Sequence, residues 1–241
     1  MCSCPGMGKS TMDSSSAAHR NHILAALPGP VLERLLPHLE PVPLPVRTVL
    51  YKPHGRIDWV FFPLSGIASS VGGASDNRIE VGITGREGMT GLSVVLGVET
   101  SPQDCFIQIA GDGLKIAAAE LVEAFETEAA VRKPILLYAN EFMLQIAHTA
   151  VANGRYKVEE RLARWLLLCQ DRLDSDIVPL THEFLSVMLG VRRPGVTIAL
   201  NTLAAANIIS NDRARITIVD RSKLEDIAGE AYAPSMNSNS R

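Results

Sequence analysis

Four arginines crowd into one stretch of the chain. Arg192 and Arg193 stand side by side, Arg213 and Arg215 follow, and Asp212 is the one acid between positions 192 and 215. Guanidinium groups so placed suit phosphate and base edges, because one such group can donate twice to guanine O6 and N7. Arg193 is the residue expected to reach a base. Arg192 or Thr197 could do the same or hold phosphate, and Arg213 and Arg215 could lie along the backbone and position without reading sequence. Asn201 and Thr181 complete the expected DNA-binding set.

The segment around these residues has the spacing of a helix-turn-helix. Thr181 can cap a helix that begins at His182. Leu185 and Leu189 then face inward, with the small Ser186 where a second helix must approach. Gly190 supplies the positive φ of a tight turn, and Val191 plugs it. Val196, Ala199 and Leu203 line the inner face of the next helix, leaving Arg192, Arg193, Thr197, Leu200 and Asn201 outside. Pro194 is tolerated only near a first turn, which sets the helix start around Arg193. Asn207–Ser210 and Arg215–Val219 flank the polar turn Asn211-Asp212-Arg213-Ala214, so a hairpin wing should follow.

Bulk composition sets the frame. The 241 residues are 46% hydrophobic and 20% charged, as in an ordinary folded protein, so disorder of the whole chain is excluded. No apolar run approaches the ~18 residues of a membrane span, and no secretory signal core stands at the start, which points to the cytoplasm. The net charge of −3 is unevenly divided: residues 1–154 hold 11 Lys+Arg against 15 Asp+Glu, and residues 155–241 hold 12 against 11. A small basic patch on an acidic protein fits a module that meets phosphate with one face.

Organisation along the chain implies an α+β fold. Residues 1–20 read as a disordered leader; its Gly6-Met7-Gly8-Lys9-Ser10 lacks the first glycine and the preceding strand of a phosphate loop. Two short helices broken by Pro28-Gly29-Pro30 precede strand-like runs at 48–51, 59–64, 67–71, 78–84 and 105–110, the pattern of an antiparallel roll or jelly roll. A short helix at 118–128 leads to a longer one at Lys133–Val151 with two apolar sides. Leu136, Met143, Ala147 and Ala150 mark the side expected to pair with a second chain, and Tyr138 and Phe142 belong to the other. Asn153-Gly154 reads as a hinge. A further helix buries Val158, Leu162, Trp165, Leu166, Cys169 and Leu173 and carries Glu159, Glu160, Arg161 and Arg164 on its other side. Cys169 reads as a buried structural thiol.

The order of parts resembles the Crp/Fnr transcription regulators, on "EERLARWLLLCQDR" (Glu159–Arg172), "LTHEFLSVMLGVRRPGVTIAL" (Leu180–Leu200) and "GREGMTGLSVVLG" (Gly85–Gly97). The resemblance implies a cyclic-nucleotide-binding-like β-roll at 21–131, a dimerisation helix at 132–153, a winged helix-turn-helix at 154–230 and a tail at 231–241. It also implies double-stranded DNA, a second copy of the chain and RNA polymerase as partners, with no membrane and no catalysis. Gly88, Gly91, Leu92, Gln103 and Asp104 fall where an effector pocket would lie. Members that bind cyclic AMP carry a Gly-Glu pair and a phosphate-binding Arg; here stand Gly91-Leu92 and Ser101-Pro102-Gln103-Asp104. Cyclic AMP is therefore not expected, and no other cofactor is implied. The recognition helix departs too: the family's Arg-Glu pair and second Arg appear as Arg193-Pro194 and Ile198, so the operator should differ. Cys2, Cys4 and Cys105 lack the spacing of an iron–sulfur set, and His148 is a lone helix-face histidine.

Two other readings compete. One is a small-molecule-binding roll whose helix-turn-helix contacts protein instead of DNA. The other is a cupin-like metal enzyme, for which the strand region offers only His54.

Overall fold

The computed structural model describes residues 14–73 and 78–232. The Gly6–Ser10 string, Cys2, Cys4 and the tail beyond position 232 lie outside the described residues. Three short helices come first: α1 (Ser14–Ala18), α2 (His22–Ala25) and α3 (Gly29–Leu35). The expected leader thus ends earlier than position 20, since Ala17 and Ala18 are buried. Asn21 explains why. Its amide donates to the carbonyls of Pro63 (3.0 Å) and Gly88 (2.8 Å), while its oxygen caps α2 through Ile23 and Leu24.

The strands form a roll of two antiparallel sheets. Strands β1 (Glu40–Leu44), β7 (Gly111–Ala117) and β3 (Trp59–Pro63) make one, in the order β1-β7-β3. Strands β2 (Val49–Tyr51), β6 (Asp104–Ile109), β4 (Ile67–Gly72) and β5 (Ile79–Thr84) make the other, in the order β2-β6-β4-β5. Leu44, Phe61, Ala68, Cys105 and Ile107 cluster in the roll. Burial pushes the Cys105 thiol up to about 12, so it stays protonated. Strand β4 is buried along nearly its whole length: Ala68 joins that cluster, whereas Ile67 and Val71 join the core of the C-terminal head.

Helix α4 (Ala118–Thr127) leads to α5 (Ala129–Arg155), 27 residues long. The helix is longer at both ends than the spacing predicts. It starts at Ala129, after the extended Glu128, and not at Lys133, so Pro134 lies inside it. Asn153 and Gly154 are not a hinge but the last helical turn, anchored by the buried Ala152. The junction is the extended pair Tyr156–Lys157. One side of α5 packs on the roll through Val131, Ile135, Tyr138 and Ala139. Gln145 adds a clamp: its Oε1 accepts from Ile83 N (2.7 Å) and its Nε2 donates to Ile83 O (3.1 Å).

The head comprises α6 (Val158–Gln170), β8 (Ile177–Val178), α7 (His182–Leu189), α8 (Arg193–Ala205), β9 (Ile209–Asp212), β10 (Arg215–Ile218) and α9 (Arg221–Ala228). Helix α6 is buried almost all round, Arg164 included, because it lies between roll and head. The polar side expected for it is therefore partly interior: Arg164 Nη2 donates to Thr149 Oγ1 of α5 at 3.1 Å. Cys169 is fully buried, and burial raises its thiol well above the ordinary value. The chain stays packed to its last described residues, with Ala231 buried and the Tyr232 hydroxyl donating to Asp171 Oδ2 at 2.7 Å.

Among the described residues, three polar links between nitrogen and carboxylate groups join roll to head. Trp165 Nε1 donates to Glu80 Oε1 at 2.6 Å; Arg172 pairs with Glu87 at 2.7 Å; Arg86 pairs with Asp174 at 2.7 Å. The first is buried. Glu80 also meets Ser69 Oγ, which in turn meets Gln108 Oε1. A hydroxyl has one proton to give, so a neutral Glu80 donating to Ser69 lets Ser69 donate on to Gln108. Burial accordingly pushes the Glu80 carboxyl from 4.5 up to about 7, against the opposing pull of Ser69, Trp165 and Arg164.

Two outcomes follow for stability. Between pH 4.5 and about 7 the folded state holds a proton on Glu80 that the unfolded chain releases, so stability falls as pH rises through that window. The rise corresponds to about 3 kcal/mol. Glu80→Gln has no proton to lose, so in urea unfolding at pH 5, 6, 7 and 8 the variant's deficit should shrink or reverse toward pH 8; a difference independent of pH contradicts the assignment. Gly190 has φ +59°, and a Cβ there would meet Ile79 Cδ1 at 2.6 Å. Gly190→Ala should cost about 1–2 kcal/mol or more. Gly195→Ala, where nothing lies within 4 Å, should be neutral or stabilising by up to about 1 kcal/mol. Equal effects in the two variants would show that turn geometry does not matter.

Candidate nucleic-acid interface

The site is built from the head outward. Thr181 Oγ1 accepts from Phe184 N at 3.3 Å and so caps α7, and Gly190 closes that helix in the left-handed region. Arg161 of α6 donates to the Leu189 carbonyl, tying the turn to the helix beneath it. Arg192 precedes α8, which starts at Arg193 with Pro194 in its first turn. Val196, Ala199, Leu200 and Leu203 are buried and fix how α8 is rolled about its axis.

That roll decides which side chains face out. Arg192, Arg193 and Asn201 are exposed and Thr197 is half-buried, so these four share the outer side of α8. Leu200 does not; it is fully buried, a correction to the expected outer face. Its place is taken by Ile198, 62% exposed, and by the exposed Thr202. Ile198, noted in the sequence only at the position of the family's second Arg, is an apolar group on such a face and can meet a thymine methyl. His182 was missed. Its ring lies 3.3 Å from Thr197 Oγ1 and 3.5 Å from Asn211 Nδ2, joining the two helices to the wing.

The wing is a tight hairpin. Asp212 pairs with Arg215 at the end of the ladder, so β9 runs further than predicted and only Arg213 and Ala214 turn, Ala214 with φ 55°. A third strand, β8, pairs with β10 on the far side; at two residues it left no readable pattern. Arg213 and Arg215 are exposed. Among the described residues Arg192, Arg213 and Arg215 have no carboxylate within ion-pair reach. Arg193 has one: its Nη2 lies 3.1 Å from Glu183 Oε2, with both side chains mostly exposed. Such a surface pair is worth about 0–1 kcal/mol, so it can be exchanged for a better acceptor.

The positions expected to form an effector pocket each have packed or bonded surroundings of their own. Gly88 lies against the Tyr138 ring, so close that a Cβ would sit 2.0 Å from it. The Tyr138 hydroxyl is bonded to Thr84 Oγ1 at 2.9 Å, and α5 thus fills the space beside the roll. Gly91 is left-handed and packs on Ile57 and Val60, and Leu92 opens a short 3₁₀ turn. Gln103 turns back to Ser101 Oγ (3.1 Å from its backbone N), and Asp104 pairs with Arg78 at 2.6 Å. Arg86 and Glu87, within the cassette-like segment, are taken up by the links to the head. Among the described residues no three His, Cys, Asp or Glu side chains converge on a metal position, and no helix is long and apolar enough to cross a membrane.

On α5 the residues expected at a dimer contact all lie on the side away from the roll. Leu136 is 45% and Met143 57% exposed, Ala147 and Ala150 are exposed, and Leu137, Leu144 and Val151 extend the same apolar surface.

Comparison with known proteins agrees with this architecture. Residues 160–227 match the Crp-like helix-turn-helix domain. Among solved structures, FixK2 from Bradyrhizobium japonicum is similar with a TM-score of 0.69 at 17% identity, over 79% of this chain and 98% of that one. A Crp/Fnr-family transcriptional regulator from Eubacterium rectale gives 0.63 at 17%, over 87% and 99%. The c-di-GMP responsive regulator CLP of Xanthomonas campestris gives 0.64 at 16%, over 79% and 99%. No curated protein matches the sequence. The chain therefore has the fold of the Crp/Fnr transcription regulators and carries, in residues 160–227, a Crp-like helix-turn-helix domain.

Proposed function

We propose that the chain regulates transcription in the cytoplasm by binding specific duplex DNA as a homodimer. The observation that carries this reading is the outer side of α8. Arg192, Arg193, Thr197 and Asn201 stand on one side of α8, next to a wing tipped by Arg213. A helix of 13 residues spans about 20 Å and fits the major groove. Arg193 reads a base, Arg192 and Thr197 read or hold phosphate, and Arg213 and Arg215 lie along the backbone.

Two chains pair through Leu136, Met143, Ala147 and Ala150 of α5, which would otherwise leave a long apolar surface in water. The paired heads then meet half-sites about 34 Å apart. The roll acts as sensor or scaffold without cyclic AMP, a reading supported by Tyr138 packed against Gly88. RNA polymerase is the further partner such a regulator engages. Protein contact in place of DNA is the second reading; a salt titration on random duplex separates them, because only phosphate contacts give a counterion-release slope.

Arg193→Ala should weaken binding to a selected operator by about 1–3 kcal/mol, with discrimination lost at one base pair per half-site in gel shifts. Uniform loss on all sequences makes Arg193 a phosphate contact, and no loss removes it from the interface. By sedimentation, the wild type should run at twice its 26.0 kDa, and Leu136→Glu/Met143→Glu should run as a monomer. A monomeric wild type at high micromolar concentration rules the pairing out.

A further inference from the structure

Where the head meets β2 and β6, a cleft of about 440 Å³ remains open. Its floor is apolar and comes from both units: Phe106 from the roll, and Phe184, Val187 and Met188 from α7. The two rings lie 6.5 Å apart at 38°, and the Arg78 guanidinium stands 5.9 Å from the Phe106 centroid. Such a volume and lining fit a molecule of one or two fused rings.

The rim decides the charge of that molecule. Five charged residues border the cleft, and three of them are already committed: Arg78 to Asp104 at 2.6 Å, and Glu183 to Arg193 at 3.1 Å. The other two are Arg47 and Lys52, and among the described residues neither has a carboxylate partner. Arg47 is held in place by an unusual backbone, φ 70°, with its N–H donated to Ile107 O at 2.7 Å. Its guanidinium stands 5.5 Å from the Phe184 ring centroid, across the joint between the two units. Two spare cations over an aromatic floor call for an anion with a flat apolar body.

We propose that this cleft is a binding site for an aromatic monocarboxylic acid, its carboxylate on Arg47 and Lys52 and its ring on Phe106 and Phe184. A nucleotide is a poorer fit. The floor offers no donors or acceptors for base edges, and Asp104 and Glu183 repel a second negative charge. The site differs from the positions near Gly88 and Gly91, which Tyr138 and Ile57 fill. A bound acid touches the roll and α7 together. Since α7 carries Glu183, the partner of Arg193, occupancy holds the head in the orientation described above and acts on α8 through one helix. Binding itself does not depend on the DNA reading; only this consequence does.

Calorimetry on the full chain with 1-naphthoate and with uncharged 1-naphthalenemethanol tests the proposal. Naphthoate should bind in the micromolar to low millimolar range and the alcohol about tenfold or more weakly. Arg47→Gln/Lys52→Gln should lose about tenfold for naphthoate with the melting temperature unchanged, and Phe184→Ala should weaken both probes. Lys115→Gln, at a lysine paired with Glu40 on the other sheet, should bind as the wild type. Equal affinity for acid and alcohol, wild-type affinity in the double variant, displacement of naphthoate by cyclic AMP, or no binding at several millimolar would each overturn it. A shift in operator affinity on adding naphthoate supports the consequence; unchanged affinity with naphthoate bound refutes it and leaves the site standing.

Discussion

The hydrogen bond from Trp165 to Glu80 is buried inside the joint between roll and head. Ile67, Val71, Ile83 and Ile109 of the roll belong to the same apolar cluster as α6, α7 and α8. The two units therefore share a core and do not merely touch. An unpaired polar group in such a place costs about 1–3 kcal/mol or more, and among the described residues Gln108 Nε2 is one without a partner. Burial raises the Glu80 carboxyl to about 7, and its protonated form lets one chain of donors run through Ser69 to Gln108. The orientation of α8, and with it every claim about what its outer side can touch, depends on this joint being closed.

Helix α5 obeys a related constraint. Its side toward the roll is fully specified: Tyr138 fills the space beside Gly88, Phe142 lies over Gly82, and Gln145 satisfies both backbone groups of Ile83. The opposite side is mainly aliphatic side chains at helical spacing, with the exposed Asn140 and His148 among them. A surface of this kind is selected by the area it removes from water and by close packing, not by directed bonds. That contrast is what a helix serving two purposes should show, with precision toward its own domain and plain apolar area toward a second one.

The sequence was most legible where local rules and tertiary packing agree. A capping Thr181, a left-handed Gly190 and apolar residues at 185, 189, 196, 199 and 203 fix a helix-turn-helix without reference to anything distant. Leu200 was placed outside against its own polarity: helix geometry puts it about 40° from Val196, on the inner stripe, and that periodicity corrects the assignment. Strand β1 was invisible for another reason. Pro41 and Pro43 weaken any strand signal, but β1 lies at the edge of its sheet, where missing N–H groups are tolerated. The burial of Arg164, the continuation of α5 through Gly154 and the filled space at Gly88 depend on partners tens of residues away, which no local pattern encodes.

These contacts also say where an input must act if the head is to move. The three polar links are graded from interior to rim: Glu80 with Trp165 is buried, Arg172 with Glu87 nearly so, and Asp174, the partner of Arg86, is 77% exposed. Opening the rim link costs little. Separating Arg172 from Glu87 without a substitute costs about 3–5 kcal/mol, since both charges are out of water. A ligand can drive such a change only if it favours one arrangement by a comparable amount. An effector confined to the roll's interior would have to pass that energy through α5, whose contacts with the roll are already complete. A molecule bound at the joint acts on the separation directly, because its affinity exists only while both walls are present.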